Sequence, residues 1–199
     1  MRAGVELPGR DVDGIALLLK FCTKPVYAEE FRQQGALLMR PLGFFAELRD
    51  GEPGTRGDPG EPARHDTYCF SLHALTTQRI AEVADGAPLV DERNLRLGPH
   101  VAMVRDPAAF LSRVDKAIRA ANVRSARCGL VSYTNDGARE CYEDPFAKSE
   151  AFAHQCEFRI VLERDADGPE FRLFVGSLAD ICEVVPAATL NHYVHCRSC

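Results

Sequence analysis

The segment that most constrains this fold runs from Phe146 to Leu162. It begins with helical spacing and ends as an apolar strand, so it must cross from the surface into the core of a sheet. At the join it gathers Lys148, His154, Gln155, Glu157 and Arg159. Polar side chains at the start of a buried strand cost free energy unless something pairs with them, which marks this join as a candidate site. On a strand, Gln155, Glu157 and Arg159 share one face, and Cys156, Phe158 and Ile160 take the other. The alternative is a Glu157–Arg159 ion pair at a sheet edge, which contributes little.

The remaining elements are read from local signals. Apolar runs predict strands over residues 15–22, 36–39, 67–75, 100–105, 130–133, 156–163, 170–175 and 183–185. Asp165-Ala-Asp-Gly-Pro169 lies between two of these and reads as the turn of a hairpin joining 156–163 to 170–175. A short helix is expected from Pro25 to Gly35, capped by Thr23, with Val26, Tyr27 and Phe31 on one side. Another is expected over 76–86. The clearest helix opens at Asp106-Pro107, with Phe110, Leu111, Val114, Ala117, Ile118 and Ala121 along one face. Asp144-Pro145 opens the helical part of the focal segment, and Ser177 to Cys182 reads as a helical turn.

Strands and helices mix without a regular βαβ alternation. The expectation is a single α+β domain over residues 1–190, its sheet mixed or largely antiparallel with flanking helices. Residues 191–199 form a C-terminal His/Cys tail. A chain of 199 residues suffices for one well-buried core. At 46% hydrophobic and 27% charged it is too apolar for disorder. Its net charge of −5 offers no bulk attraction to nucleic acid or anionic membrane. The apolar run Ile15 to Leu19 is too short and wrongly flanked for a signal peptide, so a cytoplasmic location with reduced cysteines is expected. Cys22, Cys69, Cys128, Cys156 and Cys182 lie in or beside apolar runs, where a thiol packs as a small hydrophobe.

Two further groups of residues carry candidate chemistry. His192, His195, Cys196 and Cys199 could ligate zinc, with Cys196-x-x-Cys199 at ligand spacing. Fitting all four to one metal in so short a segment is strained, and a frayed tail is the competing reading. Around the Gly/Pro-rich stretch 51–62 stand Asp58, Glu61, His65, Asp66 and His73, donors for a metal or for acid–base work. Glycine recurs there every third residue, but the stretch is too short for a collagen helix. Arg56-Gly57-Asp58 is read as a chance tripeptide. The sequence contains no Walker loop, no dinucleotide fingerprint, no nucleophile elbow and no His-Glu-x-x-His.

Gln155-x-Glu157 opening a late strand resembles the third motif of the ADP-ribosyltransferases. The resemblance extends to an Arg–Ser–Glu order: Arg40 ending a strand, Ser71 within Cys69-Phe-Ser-Leu72, and Glu157. It implies an NAD-dependent transferase acting on a macromolecular acceptor, in a toxin or phage–host conflict setting. Glu157 would hold the nicotinamide ribose and oppose an oxocarbenium-like transition state, Gln155 and Arg159 would complete the catalytic set, and Arg40, Ser71 and Lys148 would bind NAD. The family's Ser-Thr-Ser triplet stands here as Phe70-Ser71-Leu72-His73. A second resemblance, over roughly residues 20–185, is to an uncharacterised family of bacterial and phage proteins. It rests on Gly35 to Phe45, Arg56 to Glu61, Tyr68 to Leu72, Phe146-x-Lys148 and Gln155-x-Glu157-Phe-Arg159, and implies one domain without naming a reaction. Two other readings stand beside the transferase. One is a non-enzymatic protein that binds or inhibits a protein partner. The other is a nucleic-acid-processing enzyme using Lys148, His154, Glu157 and Arg159 on phosphates, which the acidic net charge disfavours.

Overall fold

The computed structural model describes residues 14–42, 44, 66–82, 88–134, 144–165 and 168–192. They form a single α+β domain with a mixed, largely antiparallel sheet flanked by helices. In chain order the elements are β1 (Ile15–Cys22), α1 (Pro25–Gln34), β2 (Ala36–Pro41), β3 (Thr67–Thr76), α2 (Thr77–Glu82) and α3 (Glu92–Leu95). There follow β4 (His100–Val104), α4 (Pro107–Ala120), β5 (Ser125–Leu130), β6 (Ser132–Thr134), β7 (Ala147–Ser149) and a 3-10 helix (Glu150–Gln155). The described chain closes with β8 (Glu157–Glu163), β9 (Phe171–Phe174), β10 (Cys182–Pro186) and a 3-10 turn (Ala187–Thr189).

The main sheet runs β10-β4-β1-β3-β8-β5, every neighbouring pair antiparallel. β3 is the trunk of this sheet. β8 covers one edge of it from Thr67 to His73. The other edge is divided: β1 pairs with its C-terminal half, and β2, which carries β9, pairs at Tyr68 and Cys69. Lys20 stands in the resulting fork. Its ammonium donates to the Ser71 carbonyl at 3.1 Å and lies 4.3 Å from the centroid of the Phe70 ring. The lysine thereby replaces a ladder hydrogen bond that the diverging strands no longer supply. Burial lowers its pKa.

The two faces of the sheet differ. On one, α1 and α4 cover a continuous core in which Leu18, Phe31, Phe70, Phe110, Val114, Phe158 and Ile160 are almost fully buried. The other face carries two smaller apolar clusters, one around Leu19, Leu75, Val90, Val101 and Met103 and one of Leu42, Cys69 and Val161. The inward-facing polar residues of β3 and β8 lie between those two clusters.

The α4 start follows its local signal: Asp106 Oδ1 accepts from the Ala109 N–H at 2.8 Å, and Pro107 takes the first turn. Asp106→Ala should therefore cost about 1 kcal/mol in a chemical-denaturation midpoint, with no change in fold. At the end of α1, Gly35 adopts φ 61°, and a Cβ there would come within 2.1 Å of the Gly176 carbonyl oxygen. Only glycine fits that close approach.

Several expectations are corrected. The hairpin does not form, because β8 lies between β3 and β5 while β9 pairs with β2. The N-cap of α1 is Lys24 rather than Thr23, and it makes no side-chain cap. Val26 and Tyr27 face solvent at 60% and 48% exposure, and Ala28 with Phe31 does the packing. Residues 147–149, expected as helix, form β7 and pair in parallel with β6. A short helix, α3, stands where no element is expected. The Gly/Pro-rich stretch 51–62 lies outside the described residues.

Candidate functional site

Glu157 is the first residue of β8, and Arg159 follows on the same face. Opposite them on β3 stand His73 and Ser71 in direct register. Because β8 is an interior strand, the Glu157–Arg159 pair is not at a sheet edge. The Glu157 side chain is 12% exposed and that of Arg159 is 8%. β7 brings Lys148 over the pair, 11% exposed. Glu157 Oε1 accepts from Lys148 Nζ at 2.5 Å, and its Oε2 accepts from Arg159 Nε at 2.7 Å. Lys148 Nζ also donates to Gln155 Oε1, and Arg159 Nη1 donates to the Pro145 carbonyl at 2.5 Å. The Glu157 backbone N–H donates to the Tyr133 hydroxyl at 2.8 Å. The result is a lysine–glutamate–arginine triad tying β8 to the β6–β7 pair that lies over it.

Burial alone would raise the Glu157 carboxyl pKa. The Arg159 and Lys148 charges overcome it and carry the pKa down to about 2. Glu157 is therefore ionised throughout the physiological range. Both its oxygens are engaged by cations, so it offers a fixed negative charge rather than a proton acceptor.

Gln155 lies in the 3-10 helix that precedes β8. Between them Cys156 takes φ 42°, a left-handed conformation that breaks the strand alternation. Gln155 nonetheless reaches the site, because the Lys148 ammonium holds its side-chain oxygen. The Gln155 backbone carbonyl accepts from His73 Nδ1 at 2.7 Å. That bond fixes the His73 tautomer, leaving a buried lone pair on Nε2 with no partner among the described residues. Burial lowers the His73 pKa, which keeps the ring neutral. The neighbouring carbonyl, that of His154, accepts from Asn94 Nδ2 at 2.6 Å.

Beside the triad is a cleft of about 200 Å³. It opens beside the first residue of β8, where β3 continues past it, and Glu157, His73 and Cys156 border it. Leu75, Leu89, Leu130 and Val131 give it apolar walls, and the exposed Arg79 of α2 borders it as well.

Of the residues singled out in the sequence, Lys148, Gln155, Glu157 and Arg159 meet in one network, with Ser71 and His73 beside it. Ser71 offers its hydroxyl 3.8 Å from Cys69 Sγ. Arg40 is elsewhere: it is opposite Cys69, four residues or about 13 Å down β3 from the His73–Glu157 pair. Its guanidinium is engaged by Glu170 at 3.2 Å and by the Pro169 carbonyl at 3.4 Å. Asp66 is bound to Arg124 at 2.6 Å. His192 is exposed past the last 3-10 turn. Asp58, Glu61, His65, His195, Cys196 and Cys199 lie outside the described residues. Among the described residues no group of three or more His, Cys, Asp or Glu is placed to hold a metal ion. Cys22, Cys69, Cys128, Cys156 and Cys182 are free thiols. Sequence reasoning missed Tyr133, Arg79 and the conformation of Cys156. No local signal marks the first two, whose roles arise only from packing.

Compared with protein-family models, with curated proteins and with solved structures, the chain finds no match. Fold and site together define a single α+β domain carrying a buried ion triad beside a small, mostly apolar cleft. Among the described residues no helix is long and apolar enough to cross a membrane.

Proposed function

We propose that the chain is an NAD-using enzyme of the ADP-ribosyltransferase type, with Glu157 as its electrostatic catalyst. The observation that carries this reading is the position of Glu157: a carboxylate held ionised by Arg159 and Lys148 that borders a cleft. In the reaction the bond between the ribose carbon and nicotinamide breaks, and its electron pair leaves with nicotinamide. Positive charge develops on the ribose carbon and ring oxygen. A fixed, desolvated carboxylate stabilises that charge without having to reorganise. The acceptor's lone pair then forms the new bond, and its proton passes to solvent. Gln155, its oxygen held by Lys148, keeps its amide N–H groups to orient the ribose or the acceptor. Arg40, about 13 Å along β3 and paired with Glu170, would have to exchange that partner to meet a phosphate of NAD.

The test is NAD turnover and calorimetric NAD binding by the wild-type chain and by Glu157→Gln and Gln155→Ala. Glu157→Gln should lower turnover by roughly 10²–10³-fold. Gln155→Ala, which leaves both ion pairs intact, should weaken turnover with little loss of stability. A folded wild type that neither binds nor hydrolyses NAD would overturn the reading.

A second reading, a non-enzymatic protein that binds a protein partner, draws on one observation. Both Glu157 oxygens are satisfied internally, as in a brace that only holds β7 to β8. The nucleic-acid reading has no such support, because Lys148 and Arg159 are buried and their charges meet Glu157 rather than an open surface.

A further inference from the structure

We infer that the cleft beside β3 is a binding site for a small apolar-bodied anion, a carboxylate or a phosphate ester, and that Arg79 selects for the charge. The inference uses the cleft as a ligand site but is independent of NAD chemistry.

Size sets the first limit. A dry apolar cavity of about 150 Å³ accepts benzene, so about 200 Å³ holds a single ring or a branched aliphatic chain with one small polar group. The walls set the second. Leu75, Leu89, Leu130 and Val131 offer no hydrogen bonds, so the body of the ligand is apolar. Leu130 is 46% exposed, an apolar surface that such a body would cover.

Charge sets the third limit. Glu157, the carboxylate that lines the cleft, is already paired with Lys148 and Arg159. Arg79 lines the cleft as well, is exposed, and its charge acts on the Cys156 thiol that shares the lining. Asp91, whose charge also acts on Cys156, is paired with Arg93 at 2.7 Å and does not line the cleft. His73 contributes no charge because burial keeps it neutral. Arg79 is therefore the lining charge left for a ligand to meet, and it favours an anion. An anion with its apolar body against Leu89 and Leu130 would present its charge to the Arg79 guanidinium, whose planar fork suits carboxylate and phosphate oxygens.

There is also a backbone contribution. In β3 the amide groups of residues 73 and 75 turn toward β1, so those of Ala74 and Thr76 turn toward the side where β8 has not yet begun. The Ala74 N–H is taken by the Cys156 carbonyl at 2.8 Å. The strand edge beyond it, at Leu75 and Thr76, lines the cleft.

The test is calorimetric titration of the full chain with benzoate, phenyl phosphate and the neutral isostere benzamide. The wild type should bind at least one anion saturably, and benzamide at least tenfold more weakly. Arg79→Gln should weaken the anion at least tenfold and leave benzamide unchanged, as expected for loss of a charged hydrogen bond. Leu130→Glu, at an exposed position that tolerates polarity, should abolish anion binding while the chain stays folded. Tighter benzoate assigns a carboxylate ligand, and tighter phenyl phosphate assigns a phosphate ester. The inference is overturned if benzamide binds as tightly as the anions, if Arg79→Gln changes nothing, or if a folded wild type binds neither anion. None of the probes contains NAD, so failure of NAD turnover leaves this result readable.

Discussion

Arg159→Met should destabilise the protein by roughly 3–5 kcal/mol, the cost of removing one partner from a buried ion pair. The substitution leaves Glu157 with one cation instead of two and leaves the Pro145 carbonyl without its donor. Methionine keeps the volume, so the loss reports charge and hydrogen bonding rather than a cavity. A urea melt should show a lower midpoint at unchanged slope. The damage should also be local. β6 and β7 are held to the main sheet through Lys148 and Tyr133, so amide exchange over Ser132–Thr134 and Ala147–Ser149 should accelerate more than exchange in α4. Replacing Lys148, Glu157 and Arg159 together with apolar residues of similar size should recover much of the loss, because no charge then remains buried. A single-variant loss below 1 kcal/mol would mean that water screens the triad and that it does not brace this face.

Acid should remove about 3 kcal/mol of stability through Glu157 alone. Its folded-state pKa is depressed from 4.5 to about 2, and every tenfold change in proton affinity corresponds to about 1.4 kcal/mol. A depressed carboxylate binds its proton more readily in the unfolded chain. Its stabilisation is therefore complete above about pH 4.5 and lost as pH falls toward 2. His73 acts with the same sign at higher pH. Burial lowers its pKa from 6.5, so the unfolded chain takes up a proton first, and stability begins to fall below that value. Denaturant melts between pH 7 and pH 3 should show both stages. In a background where Glu157 and its two cations are apolar, the lower stage should shrink to what the arginine-paired Asp66, Asp91 and Asp180 contribute, and the upper one should remain. A wild-type stability that is flat from pH 5 to pH 3 would contradict the ionised, paired state of Glu157.

The parts of the fold that local chemistry settles are readable in the sequence. Asp106-Pro107 starts α4 because a carboxylate oxygen and a preset φ satisfy the first turn wherever that turn lies. Gly35 ends α1 because only glycine takes φ 61° against a neighbouring backbone. Within the site, alternation alone puts Glu157 and Arg159 on one face, and the structure keeps them there. The failures are choices among partners. The Asp-Gly-Pro signal between β8 and β9 suits a turn, but β8 pairs with β3 and β5 while β9 pairs with β2, so the expected hairpin is absent. Val26 and Tyr27 have the right helical spacing, yet the side of α1 that meets the sheet is set by Ala28 and Phe31.

What the sequence by itself determined is the class of fold, most element positions and the polar set at the start of β8. These follow from periodicity, capping and turn chemistry, which act over a few residues. Only the tertiary structure decided that β3 is the divided trunk of the sheet. It alone placed Lys148 over Glu157, paired Arg40 with Glu170 and set Arg79 beside a cleft. Those outcomes depend on which apolar faces bury together and which charges are desolvated with them. Such free energies belong to pairs of segments far apart in the chain, and no local stretch of sequence encodes them.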